Sequence, residues 1–165
     1  MLHIALYEPK IAPNTGNIIR LAANNGATLH LIEPLGFDFS AKPLQRAGLD
    51  YHDISKVIRH SNFSAFRQAM AGHRILLCST KAQQAYDKMH YQAQDVLLFG
   101  SETHGLPDSV MQTIAPEYWL KIPMQPNNRS LNLANAVAII SYEAWRQHGF
   151  IGAQCSLNAK YKANN

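Results

Sequence analysis

The sequence predicts an α/β protein, an open and mostly parallel sheet with helices on both faces. Two observations carry that prediction. Short apolar runs of strand length alternate along the chain with segments of helical periodicity, the pattern of repeated βα units. Val96-Leu97-Leu98-Phe99 is apolar at every position up to Gly100, as a strand covered on both faces of a parallel sheet requires. Composition agrees: 165 residues with 47% hydrophobic and 16% charged side chains describe a globular chain able to bury its own core.

The elements follow in order. His3–Tyr7 is the first strand. Asn14 to Asn25 reads as a helix, with Ile18, Leu21 and Ala22 on one face, Gly26 as its stop and Asn14 placed as its N-cap. Thr28–Ile32 is the second strand. Leu44 to Ala47 fits one helical turn, and Val57–Ile58 is weakly extended. Phe63 to Met70 is helical, and Arg74–Cys78 is a strand. Val96–Phe99 comes next, then a short helix opened by Pro107. Tyr118–Ile122 is the last strand. A long helix runs from Leu131 to Gln147, with Ser130 as its expected N-cap. Ala134, Val137, Ala138, Ser141, Ala144 and Trp145 form a narrow stripe of mostly small residues on it, so another element packs closely there. From Phe150 the pattern fades. Residues 1–152 are expected to form one domain and 153–165 a partly disordered tail.

Several classes of function are excluded. The formal charge of +4 permits an anionic partner, but no block of five like charges marks a tail-driven binder. Cys78 and Cys155 belong to no C-x-x-C, so neither a zinc site nor a disulfide framework is expected. The amino terminus lacks a basic segment followed by a long apolar run. The longest apolar stretch, Ala136 to Ile140, is far below the roughly 18 residues of a membrane span. These features describe a soluble cytoplasmic protein without membrane attachment.

In open α/β sheets ligands bind beyond the carboxyl ends of strands, so the loops after Tyr7, Cys78, Phe99 and Ile122 matter most. Gly100 and Gly105 have the spacing of a phosphate loop, but Leu106-Pro107 stands where Lys-Ser/Thr is needed. No G-x-G-x-x-G follows any strand. Gly100 and Gly105 then serve either turn chemistry or the close approach of a ligand at Gly100. Pro123 to Ser130 is either a capped connector or an anion-binding helix start. Asn132 and Asn135 are poor helix formers in the first turns of a helix, which points to a specific hydrogen-bonding duty. Arg20 is either an exposed helix residue or a cation aimed at a phosphate. Glu102 and His104 are either an acid/base pair or two solvated loop residues.

Three segments carry a resemblance: Pro13 to Arg20, Leu98 to Pro107, and Ile122 through Val137. In order and spacing they resemble the three motifs of the SPOUT RNA methyltransferases. Leu6-Tyr7-Glu8-Pro9, Arg46 to His52 and Tyr142 to Gln147 narrow the resemblance to the TrmL branch. It implies transfer of a methyl group from S-adenosyl-L-methionine, leaving S-adenosyl-L-homocysteine, to a ribose 2′-hydroxyl. The implied target is the wobble nucleotide, C or U at position 34, in the anticodon stem-loop of leucine tRNAs. It further implies a homodimer, a C-terminal trefoil knot and no metal.

By the same resemblance, Asn14, Arg20, Glu102, Ser130 and Asn132 occupy catalytic positions. Cys78, Gly100, Ile122, Ser130 and Leu131 occupy the cofactor cradle. Arg20, Arg129 and Tyr142 are expected on the RNA side. The chemistry is an in-line displacement, so alignment and removal of the hydroxyl proton are the enzyme's tasks. A guanidinium stays protonated, and Arg20 is better suited to hold a phosphate and acidify the hydroxyl than to act as a base. Two positions depart from the pattern: His104 stands where the family has Arg, and Ser101 where Pro is expected. A non-catalytic RNA-binding relative, an enzyme for another tRNA or rRNA site, and a small-molecule enzyme with a nucleotide cofactor are the competing readings.

Overall fold

The computed structural model describes residues 2–39 and 57–154. The turn expected at Leu44 to Ala47, the branch-specific stretch Arg46 to His52, Cys155 and the end of the expected tail lie outside the described residues.

The four longer strands fall where the sequence places strands. They are β1 (His3–Tyr7), β2 (Thr28–Ile32), β4 (Ile75–Cys78) and β6 (Val96–Phe99). Shorter strands are β3 (Ile58–His60), β5 (Gln84–Ala85) and β7 (Trp119–Lys121). All pair in parallel, in the order β3-β2-β1-β6-β4-β7-β5. β1 lies inside the sheet, with Ile4 opposite Leu29 on one side and Leu97 on the other. β6 enters between β1 and β4, and β7 between β4 and β5, so two late strands fill slots left by earlier ones.

Alternation along the strands builds two cores. Ile4, Leu6, Leu31, Leu97 and Phe99 face the helices α1 (Ala12–Asn25) and α4 (Leu133–Gln147). Ala5, Ile32, Leu77 and Leu98 face α2 (Phe63–Ala69) and the short α3 (Asp108–Met111). The expected sheet, with helices on both faces, is therefore what the chain forms. The small-residue stripe of α4 packs against α1: Ala134, Val137, Ser141 and Ala144 are buried there, and Asn25 donates to the Ser141 hydroxyl at 3.2 Å.

Both expected helix caps are corrected. The cap of α1 is Ile11, whose backbone is extended and whose side chain offers no acceptor. Asn14 lies inside the first turn, with its carboxamide committed elsewhere. The cap of α4 is Asn132, two residues beyond Ser130, and its Oδ1 accepts from the N–H of Ala134 at 2.9 Å. An Asn side chain is an apt acceptor for that orphan donor, and Ser130 stays in the exposed connector. Gly26 does end α1, at φ 73°, where glycine carries no Cβ penalty.

Candidate active site

The carboxyl ends of β4, β6 and β7 open onto a cavity of about 470 Å³. Its wall comes from Cys78 to Lys81 after β4, Phe99 to Leu106 after β6, Leu120 to Ile122 with Met124 at β7, and Ser130 to Leu133 at the start of α4. Ile11 just ahead of α1, Asn14 of α1, and Ala136 and Ile140 of α4 complete it. All four loops singled out from the sequence thus reach the cavity. The loop after Tyr7 contributes Ile11.

The loop after β6 is folded tightly on itself. Ser101 and Gly105 exchange backbone hydrogen bonds at 3.1 and 2.9 Å. A Cβ on Gly100 would collide with the backbone of Gly105 and Leu106, and Gly105 has φ 67°. Turn chemistry therefore accounts for both glycines: the close approach at Gly100 is made by the chain itself.

That turn aims Glu102 at the start of α1. One carboxylate oxygen accepts from the Lys10 N–H at 2.8 Å. The other accepts from the Ile11 N–H at 3.2 Å and from Asn14 Nδ2 at 3.0 Å. Glu102 thereby satisfies the N–H groups just ahead of α1 from a distant loop, and brings a negative charge to the end of the helix where it is favoured. Asn14, 7% exposed, accepts in turn from Asn132 Nδ2 at 2.9 Å. One hydrogen-bonded line runs from the β6 loop through α1 to the start of α4. His104 takes no part in it: its Nδ1 lies 2.8 Å from the Thr103 hydroxyl, at an exposed position. Glu102 and His104 are not paired.

The five residues expected in a cofactor cradle (Cys78, Gly100, Ile122, Ser130 and Leu131) all line the cavity. So do Asn14, Glu102 and Asn132. Burial pushes the Cys78 thiol well above its ordinary range, which leaves it a neutral wall group. Arg20, Arg129 and Tyr142 do not line the cavity; all three are exposed. Tyr142 meets Trp145 edge to face, with ring centroids 5.4 Å apart.

Sequence reasoning missed the Lys81–Asp108 pair, whose 2.8 Å contact links the β4 loop to the start of α3 beside the cavity. Only the position of Lys81 after a strand end signals it. Glu102 is the only carboxylate among the described residues of the lining. Among the described residues no group of three His, Cys, Asp or Glu side chains is placed to hold a metal ion, and no helix is long and apolar enough to cross a membrane.

Comparison with known proteins agrees with this architecture. The family model described as the SpoU rRNA methylase family matches residues 1–142. The chain belongs to the SpoU methylase family. A member named tRNA (cytidine(34)-2'-O)-methyltransferase, from Aeromonas hydrophila subsp. hydrophila, is 53% identical over 153 residues, covering 93% of this chain and 98% of its own. A solved structure described as giving insights into the 2-OH methylation of C/U34 on tRNA superposes with a TM-score of 0.83 at 44% identity. It covers 90% of this chain and 97% of its own. The SpoU methyltransferase AviRb from Streptomyces viridochromogenes, solved in complex with AdoMet, gives 0.74 at 26% identity, over 90% of this chain and 58% of its own. The three-motif resemblance read from the sequence is thus borne out at the level of family and fold.

Proposed function

We propose that this SpoU-family chain methylates the ribose 2′-hydroxyl of nucleotide 34, cytidine or uridine, in leucine tRNAs, using S-adenosyl-L-methionine. The observation that carries the reading is the convergence of three distant segments on one cavity, tied together by the hydrogen bonds from Glu102 through Asn14 to Asn132. The near-full-length relatives named for methylation at cytidine 34, and the AdoMet complex of AviRb, support the same reading.

The residues present fit that cofactor. The cavity of about 470 Å³ lies within the ~300–1,000 Å³ usual for small-molecule sites. Leu120, Ile122, Leu131, Leu133 and Ile140 offer apolar wall for a purine, and Ser79, Thr80 and Ser130 offer hydroxyls for a ribose and an amino-acid tail. Glu102, the lining carboxylate, suits a cationic sulfonium nearby. Cys78, Gly100, Ile122, Ser130 and Leu131 would hold the cofactor. When bound, it supplies an electrophilic methyl group on sulfur.

The chain's own task is to place the hydroxyl in line with that methyl and to ease loss of its proton. Arg20, exposed on α1 and outside the cavity lining, is assigned to the RNA phosphate. A permanent cation there orients the ribose and acidifies the hydroxyl. Exposed Arg129, in the connector next to Ser130, and exposed Tyr142 are assigned to the RNA as well. A homodimer belongs to the same reading. Its support is the apolar surface just past the end of α4, where Phe150 is 41% exposed and Ile151 is 78% exposed. A trefoil knot in the C-terminal half is proposed on the late insertion of β6 and β7 between earlier strands. Action in the cytoplasm follows from the tRNA substrate.

Incubation with methyl-labelled S-adenosyl-L-methionine and bulk tRNA tests the proposal. Label is expected in leucine tRNAs, at nucleotide 34. No transfer to tRNA from any source would favour a non-catalytic RNA-binding protein instead.

A further inference from the structure

The hydrogen bonds joining Glu102, Asn14 and Asn132 have a direction. An ionised carboxylate only accepts, so Glu102 receives from Asn14 Nδ2 and from the N–H groups of Lys10 and Ile11. That decides which end of the Asn14 carboxamide faces it, and leaves Asn14 Oδ1 to accept from Asn132 Nδ2. Asn132 Oδ1 is then the atom presented to the N–H groups of Ala134 and Asn135, at 2.9 and 3.4 Å. Turning either carboxamide end for end would set N–H against N–H on one side and oxygen against oxygen on the other. The line is determined from both ends, by an acceptor-only group at Glu102 and donor-only groups at the start of α4. Asn14 is buried, so water does not readily replace a lost partner. The residues flanking Asn132 on both sides, Leu131 and Leu133, are cavity wall.

We infer that Glu102 is a positioning residue that works through Asn14 and Asn132. Its carboxylate fixes the Asn14 carboxamide with Oδ1 toward Asn132 and so holds the first turn of α4, with the cavity wall attached to it, in the geometry that accepts the cofactor. The cofactor half of this inference rests on the proposed function; the helix half does not. A carboxylate acting on the hydroxyl proton would need an oxygen turned to the substrate, whereas both oxygens of Glu102 are turned to the start of α1.

The test uses Glu102→Ala and the conservative Glu102→Gln. In Glu102→Ala, Asn14 Nδ2 and the N–H groups of Lys10 and Ile11 lose their acceptor. In Glu102→Gln the amide oxygen still accepts from Asn14 Nδ2 and the Ile11 N–H, so the direction of the line is kept while the charge is removed. The first readout is amide hydrogen exchange at Ala134 in the ligand-free protein, with the β6 amides as reference. The second is calorimetric affinity for S-adenosyl-L-homocysteine. An unpaired buried polar group should cost about tenfold in each. Glu102→Ala is therefore expected to speed Ala134 exchange about tenfold with β6 unchanged, and to weaken binding about tenfold. Glu102→Gln should keep both within about threefold of the parent.

Unchanged Ala134 protection in Glu102→Ala would overturn the inference. So would a folded Glu102→Gln protein whose Ala134 is unprotected. Intact affinity with methyl transfer lost in Glu102→Gln would overturn it by moving Glu102 into the chemistry. If Glu102→Ala fails to fold, Asn14→Ala, which cuts the same line one step later, decides: lost Ala134 protection supports the inference and kept protection overturns it. A parent protein that binds no S-adenosyl-L-homocysteine would defeat the proposed function, while Ala134 exchange would still decide the role of Glu102.

Discussion

Asn132 donates to Asn14 at 2.9 Å across 118 positions of sequence, and that bond joins the first turns of α1 and α4. Both residues read as helix-start residues in the sequence, but only Asn132 caps its own helix. Asn14 commits its carboxamide to the tertiary line, and Glu102 accepts from it and from the Ile11 N–H just ahead of α1. A site assembled this way has little slack, because each polar group is both ligand and support.

Asn132→Ala removes the α4 cap and one end of the Asn14 bond together. Loss of a cap costs about 1–2 kcal/mol, and the unpaired Asn14 adds to it. Urea unfolding should show a lower midpoint with an unchanged slope, and affinity for S-adenosyl-L-homocysteine should fall at least tenfold.

Arg20→Ala separates RNA handling from cofactor binding. Methyl transfer should be lost, with cofactor affinity kept within about twofold, since Arg20 is not among the cavity-lining residues. Calorimetry beside a tRNA methylation assay reads both. Collapse of cofactor binding would place Arg20 on the wrong side.

Gly100→Ala has no room for its methyl group. The β6 loop would have to open at Gly105 and Leu106, at about 1–3 kcal/mol, the range for overpacking. Thermal unfolding should fall accordingly, and the Ser101–Gly105 bridge should lose its amide protection.

His3, His30 and His60 form a ladder across β1, β2 and β3, with ring nitrogens 3.0 and 2.9 Å apart. Burial, followed by neighbouring His3, lowers His30 from 6.5 to about 4, and burial lowers His3 and His60 in the same direction. The unfolded chain therefore binds more protons than the folded one between about pH 6.5 and 4. Stability is full above that window and falls as pH drops through it. Denaturant titrations at pH 7 and 5 should differ by roughly 1–2 kcal/mol for His30 alone. Equal stability at both values would argue against a neutral, buried His30.

Much of the fold was legible because its signals are local. β6 is a continuous apolar run, β1 and β2 are mostly apolar, and Gly26 stops α1 at the position its residue type suggests. β5 escaped because Gln84–Ala85 is two residues long and is defined by its pairing to β7. The caps were displaced because a cap is chosen by three-dimensional reach. Ser130 and Asn132 are chemically equivalent from sequence, and α4 begins where the Asn14 bond holds Asn132. The cavity residues were readable from strand ends and motif resemblance. The histidine ladder was not, since it requires the parallel register that sets His30 beside Ile58 and Ala5.

Methylation of a ribose oxygen at nucleotide 34 requires the 2′-hydroxyl of that nucleotide. Its most direct test compares two leucine tRNAs, one natural and one with a 2′-deoxyribose at nucleotide 34, each incubated with the protein and S-adenosyl-L-methionine and read by nucleoside mass spectrometry. One methyl group is expected on the ribose of nucleotide 34 in the first and none in the second. Equal methylation of both, or of neither, would contradict it.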